Sequence, residues 1–318
     1  MSPTDMSAPD MSAPDMSASD VSAATQLSDR LASIVETQGR GVVRVDAGRR
    51  SPSSGIVWSD GVVVTAHHTI EREESIEVVL PDGKPVPGTL AGRDPTTDLA
   101  VIRIPAMGLE RPAWSEAGDL KVGHLVIAVG RPGRTLKATL GMVSRLGESW
   151  RTYAGGRIDR YLETDLALYP GFSGSMLVDL AGRVIGLNTS GLRRGLSLGV
   201  PASTVRRVAE VLLARGQTQR GFLGIGTYPV NLPASLNQRL RQATALIVLS
   251  VQPQSPAERA GMLLGDVLLS LDARPLAGIG DLLELLDEER IGAECPAQIV
   301  RAGEVMTLRV TIGGRNAR

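Results

Sequence analysis

Cys295 is the only cysteine in 318 residues, so no intrachain disulfide forms and a secreted, disulfide-stapled scaffold is excluded. A lone thiol of this kind reads as inert core. Aromatic residues make up 3% of the chain while glycine occurs 36 times, a balance that favours short strands joined by tight turns over a helical bundle. Neither charge is in excess: 34 Lys and Arg stand against 34 Asp and Glu, which leaves no basic surface for nucleic acid. No run of about 18 apolar residues occurs, which excludes a membrane-spanning helix. The N-terminus has no basic stretch followed by an apolar core, so no export signal is visible and the chain as given reads as cytoplasmic. No His, Cys or carboxylate group has metal-ligand spacing and no phosphate-binding glycine loop is present, so neither a metal nor an organic cofactor is expected.

The length allows two or three domains with cores of their own. Residues 1–26 repeat a five-residue unit beginning at Met1, Met6, Met11 and Met16, with only small, polar and acidic residues between the methionines. Such a segment buries too little apolar area to offset its ordering entropy and is expected to be a disordered tail. Any of those methionines is a candidate translation start. Leu27, Leu31 and Ile34 have helical spacing and predict a short helix over 27–37 leading into the body. Short apolar runs then follow one another, among them Val42–Val45, Gly55–Trp58, Val62–Thr65, Leu99–Ile102, Leu125–Val129 and Val184–Leu187, separated by turn signals such as Pro81-Asp82-Gly83. Their number fits two six-stranded barrels in residues 27–200. A helix is predicted over 201–215, stopped by Gly216, and residues 216–220 carry no sizeable apolar side chain and read as a linker. A second module of mixed α and β structure occupies 221–318, with a helix from Ile279 to Glu289.

The run Gly171-Phe172-Ser173-Gly174-Ser175 reads as a serine nucleophile on a tight glycine turn. A serine hydroxyl attacks an amide only if a base takes its proton and N–H groups receive the oxyanion. The base candidate is His68, at the end of the apolar strand Val63-Val64-Thr65-Ala66, and the orienting carboxylate is Asp98, at the mouth of Leu99-Ala100-Val101-Ile102. The order His, Asp, Ser matches the chymotrypsin arrangement rather than the subtilisin or α/β-hydrolase orders. Taken singly, the same residues also read as a surface histidine, a strand cap and a serine in an ordinary turn. An unperturbed His68 base makes activity rise as pH passes upward through about 6.5.

In these motifs the chain resembles the HtrA (Deg) family of trypsin-fold serine proteases with a C-terminal PDZ domain. The resemblance runs from about Val42 to Val310 and rests on Thr65-Ala66-His67-His68, Asp94-Pro95-Thr96-Thr97-Asp98-Leu99-Ala100, Thr164-Asp165, Pro170-Gly171-Phe172-Ser173-Gly174, Phe222-Leu223-Gly224-Ile225 and Ser255-Pro256-Ala257. It implies a chymotrypsin-like double barrel followed by an α+β PDZ domain. By position it assigns Ser173 as nucleophile, His68 rather than His67 as base, Asp98 as the group fixing the tautomer, and the backbone amides of Gly171 and Ser173 as the oxyanion hole. Ala167, flanked by Leu166 and Leu168, falls at the base of the primary pocket, whose uncharged floor implies cleavage after small or medium apolar residues; the two leucines also read as strand packing. Phe222, Leu223, Gly224 and Ile225 match the loop that receives a peptide C-terminus, and occupancy of that groove is expected to bias the protease loops. The implied activity is ATP-independent endoproteolysis of unfolded or damaged polypeptides, a quality-control role, with a homo-trimer as the family's usual assembly, although no aromatic residue precedes Trp58 to build one. Two departures leave the state of the hole open: Phe172 stands where the family has Asn or Asp, and Ser175 where it has Gly. They keep in view a rival, a protease-fold scaffold or holdase acting through its PDZ domain; an esterase using the same three residues is a further one.

Overall fold

The computed structural model describes residues 18–48, 51–116, 118–193 and 195–316. The tail expected over 1–26 therefore lies largely outside the described residues. Its last part does not: helix α1 spans Ala18–Gly39, starting well before the expected Leu27. Thr25 Oγ1 donates to the Val21 carbonyl within the helix at 2.9 Å, and the alanines of this stretch are strong helix formers. Ile34 is buried and Leu31 and Val35 pack beside it, while Gln38 Nε2 donates to Gly182 O at 2.8 Å. The C-terminal half of α1 thus docks on the body.

Two closed six-stranded barrels follow, as the strand count predicted. In the first the order around the wall is Val42–Asp46, Ser53–Ser59, Val62–Ala66, Leu99–Arg103, Pro85–Asp94, Ile76–Val79. In the second it is Tyr161–Thr164, Ser197–Pro201, Val184–Thr189, Met176–Asp179, Leu125–Gly130, Lys137–Gly147. Each barrel has a core of its own, and a third cluster joins them, made of Val42, Ile56, Val64 and Val101 from the first and Ile127, Val129, Met176 and Leu187 from the second. Helix α2, Ala202–Arg215, seals this cluster with Val205, Val208 and Leu212 and ends at Gly216, whose φ of 74° makes a left-handed cap. The barrels are thereby packed against each other through a shared apolar cluster.

The expected linker over 216–220 is only partly a linker. Gln219–Phe222 forms a strand against Gly313–Asn316, and Gln217 bridges to Arg93 of the first barrel. The second module is a sheet in the order Ile225–Asn231, Thr244–Val251, Val267–Leu271, Glu294–Arg301, Glu304–Thr311. The helix predicted from Ile279 to Glu289 ends at Leu285, and a 3-10 turn covers Glu288–Arg290. Cys295 is buried in this module's core at 2% exposure, as its solitary place in the sequence implied. Among the described residues no helix is long and apolar enough to cross a membrane.

Candidate active site

His68 and Asp98 come from the first barrel. The buried strand Val62–Ala66 runs into a 3-10 turn, His67–Thr69, so His68 emerges where the strand leaves the wall. The neighbouring strand Leu99–Arg103 pairs Leu99 with Ala66, which sets Asp98 directly beside that turn. Asp98 Oδ1 accepts the His68 backbone N–H at 2.8 Å and Oδ2 lies 2.8 Å from His68 Nδ1. The Asp98 side chain is 5% exposed against 37% for His68. The carboxylate therefore holds the proton on Nδ1 and leaves Nε2 turned to solvent as a base. Burial works to lower the His68 pKa, but the hydrogen bond and charge of Asp98 outweigh it and the net is above the ordinary histidine value. His67 goes the other way: burial lowers its pKa, only partly opposed by Asp98. Its Nδ1 is buried without a hydrogen-bond partner. Of the two histidines only His68 meets the carboxylate with its ring.

Ser173 comes from the second barrel, on the turn before Met176–Asp179. Hydrogen bonds from outside the turn and across it fix its shape. Ser54 N donates to Ser173 O at 3.1 Å and Ser54 Oγ to Gly171 O at 2.9 Å. Phe172 N donates to Tyr169 O at 3.0 Å and Gly174 N to Asn188 O at 2.9 Å. Gly171 and Gly174 have φ of 88° and 85°, and a Cβ at Gly174 would lie 2.0 Å from Ser54 O, so this close crossing demands glycine. No acceptor among the described residues takes the N–H of Gly171 or of Ser173, which leaves both free to receive an anion.

The departures at Phe172 and Ser175 are corrected by their surroundings. Phe172 does not leave the turn unanchored: its ring is 1% exposed, packs with Leu120, Val126, Leu166 and Leu177, and meets Tyr169 edge-on at 6.2 Å between centroids. Ser175 is fully buried and its Oγ accepts from Asn188 Nδ2 at 3.1 Å. An apolar plug and a buried polar link hold the turn.

Three residues that the sequence reading did not name complete the cleft. Thr189 donates its hydroxyl to Asp98 Oδ2. Ser190 Oγ lies 3.2 Å from Ser173 Oγ, and Ser190 N donates to that same oxygen at 3.4 Å. Gly191 N donates to Thr189 Oγ1 at 2.9 Å, and a Cβ on Gly191 would stand 2.4 Å from Asp98 Oδ2 and 2.6 Å from His68 Nδ1. The signal for them was a polar run, Asn188-Thr189-Ser190-Gly191, at the end of the otherwise apolar strand Val184–Thr189. No hydrogen bond joins His68 to Ser173 among the described residues.

The other sequence-based site residues divide. Leu166 is buried in the second barrel's core and Leu168 packs against it, while Ala167 between them is exposed; the two leucines follow the packing reading. Phe222, Leu223, Gly224 and Ile225 all line one groove of about 520 Å³. Ile279, Leu282, Leu283 and Leu286 form its opposite apolar wall. Among the described residues no acceptor takes the N–H of Leu223 or Gly224, which leaves two unpaired amides on residues that line the groove. Thr96 and Ala154 of the first and second barrels also line it.

Two family models match the chain, a trypsin-like peptidase domain over residues 53–187 and a PDZ domain over residues 221–312. A protein of Pseudomonas fulva described as "Probable periplasmic serine endoprotease DegP-like" is 34% identical over 267 residues, 82% of this chain and 55% of that protein. A Chlamydia trachomatis protein of the same description is 33% identical over 263 residues, 81% of this chain and 52% of that protein. The chain thus spans about half the length of the curated relatives it matches. Among solved structures, the HtrA-type protease AlgW with a decapeptide superposes with a TM-score of 0.72 at 26% identity, covering 89% of this chain and 98% of that one. The serine endoprotease from Yersinia pestis gives 0.71 at 27%, covering 89% and 97%. A double barrel with a paired histidine and aspartate facing a serine turn, a groove-bearing module behind it, and relatives that share both parts agree: the chain belongs to the HtrA/Deg family of trypsin-fold serine proteases carrying a C-terminal PDZ domain.

Proposed function

We propose that the chain is an ATP-independent serine endopeptidase that hydrolyses unfolded or damaged polypeptides through an acyl-enzyme. The observation that carries this reading is the His68–Asp98 pair, 2.8 Å apart, linked to the Ser173 turn through Thr189, which bonds Asp98, and the adjacent Ser190, which bonds Ser173. In the reaction Ser173 Oγ attacks the scissile carbonyl while His68 Nε2 takes its proton. The amides of Gly171 and Ser173 receive the oxyanion, and His68 then gives the proton to the leaving amine. Water repeats the sequence on the acyl-enzyme, with His68 again the base. Asp98 keeps the imidazole in the tautomer both halves require. Ala167 and its neighbours supply no charge, which supports cleavage after small or medium apolar residues.

The 520 Å³ groove supports capture of a peptide C-terminus, with the carboxylate on the Leu223 and Gly224 amides and the apolar last residue against Leu282 and Leu286. Because Thr96, two residues before Asp98, lines the same groove, occupancy is read as biasing the catalytic loops. The relatives named periplasmic support an extracytoplasmic setting over the cytoplasmic expectation, which fractionation of cells making the tagged chain checks. The homo-trimer implied by the family is carried as part of the reading, with light scattering of the purified protein as its test.

The deciding experiment is digestion of unfolded casein by the wild-type protein and by Ser173→Ala, with and without a C-terminal peptide. The reading expects casein to be cut by the wild type and spared by the variant. Peptide binding without casein cleavage in either protein would favour the scaffold or holdase, and ester hydrolysis without casein cleavage the esterase.

A further inference from the structure

Ser173 Oγ makes its hydrogen bonds to Ser190: 3.2 Å to the Ser190 hydroxyl and 3.4 Å from the Ser190 N–H. No bond from Ser173 to His68 exists among the described residues. This matters because a serine hydroxyl has one proton and two lone pairs. If Ser173 donates to Ser190 Oγ, its proton points away from the base that has to remove it. If it accepts, both lone pairs are engaged by Ser190 and neither is presented to a carbonyl. Either polarity holds the nucleophile out of the attacking arrangement.

We propose that Ser190 is a positioning residue that holds the Ser173 hydroxyl off His68 in the resting enzyme, so that substrate must displace it before attack. The proposal rests on the reading of Ser173 as nucleophile. The segment around Ser190 is suited to the task. On one side Thr189 is tied to Asp98 through its hydroxyl, and on the other Gly191 lies so close to the His68–Asp98 pair that even a methyl would collide with both. Ser190 is therefore fixed at its ends to the catalytic pair while its own side chain is exposed in the cleft. A substrate that reaches Ser173 therefore meets an exposed hydroxyl beside it. No other side chain among the described residues bonds the Ser173 hydroxyl.

The test is the second-order rate of labelling by a small fluorophosphonate, measured on the full chain for wild type and for Ser190→Ala, Ser190→Thr and Ser190→Val across about pH 5 to 9. Thr and Val have the same shape and differ by the hydroxyl alone. A net hydrogen bond of ordinary strength predicts that Ala labels roughly five- to tenfold faster than Ser, and Val faster than Thr by a similar factor. The pH midpoint of all four should coincide, since His68 and Asp98 are untouched. Equal rates within both pairs would overturn the proposal and leave the protease reading standing. Failure of every protein to label at any pH would overturn both.

Discussion

Asp98 has a backbone φ of 58°, a left-handed conformation that Asp tolerates better than most residues but that still needs its surroundings to enforce it. Its carbonyl takes the His67 N–H at 3.0 Å and its carboxylate takes the His68 N–H, His68 Nδ1 and the Thr189 hydroxyl. Asp98→Asn preserves the shape but cannot favour the Nδ1–H tautomer, so kcat is expected to fall about 10⁴-fold, the order found where this role is lost in another serine protease. The pH dependence has a definite sign. As the proposed base, His68 acts only when neutral, so kcat/KM is expected to rise with pH, and because Asp98 raises its pKa the midpoint should lie above the ordinary histidine value. A midpoint below that value, or a flat profile, would deny His68 the role of base. Burial instead lowers the pKa of His67. Gly191→Ala tests the tightness of the pair: its Cβ must push Asp98 or His68, and a shift of that size is expected to cost roughly 10²-fold in kcat with little change in Tm. His68, Asp98 and Ser173 stood out in the sequence because the first two border apolar strands and the third sits between two glycines. Thr189, Ser190 and Gly191 were not, because their value lies in what a distant strand brings against them.

The element on which the proposed chemistry turns is the loop from Tyr169 to Ser175, held by Phe172 inside and Ser54 outside. Phe172 was legible only as a departure from a motif; that its ring enters the second barrel's core depends on Leu120, Val126 and Leu177 arriving from three separate segments. Phe172→Ala should cost about 3–5 kcal/mol of stability and slow catalysis more than the stability loss alone explains, as read by Tm and kcat side by side. Unchanged kcat at a temperature where the variant is folded would show that the plug does not shape the oxyanion amides. The strand Pro85–Asp94 escaped the sequence reading for a related reason. Pro85 and Pro87 argue against a strand, yet over 85–88 the only pairing is with Ile76–Val79, and pairing with Leu99–Arg103 begins at Thr89. The prolines sit where one side of the ladder is vacant.

At the scale of the molecule, the peptide-groove module is tied to the barrels by arginines. Arg220 donates to the Ala154 and Gly155 carbonyls, Arg151 pairs with Asp287 at 2.5 Å and Arg215 with Glu288 at 2.5 Å. The sequence read 216–220 as a free linker because it saw no apolar side chain there; the anchoring partners are backbone carbonyls about 65 residues away, which no local pattern reveals. Arg220→Ala should loosen this junction and accelerate limited proteolysis within 216–221, whereas unchanged cleavage would mean that Arg220 does not secure the segment. In the proposed enzyme two barrels bring an imidazole, a carboxylate and an alcohol together beside two unpaired amides. A crystal structure of the protein after reaction with a fluorophosphonate tests this most directly. The expected result is a phosphorus–Ser173 Oγ bond, one phosphonyl oxygen about 2.7–3.1 Å from the amides of Gly171 and Ser173, and the His68 ring still on Asp98. An unmodified Ser173, or an adduct whose oxygen meets neither amide, would contradict it.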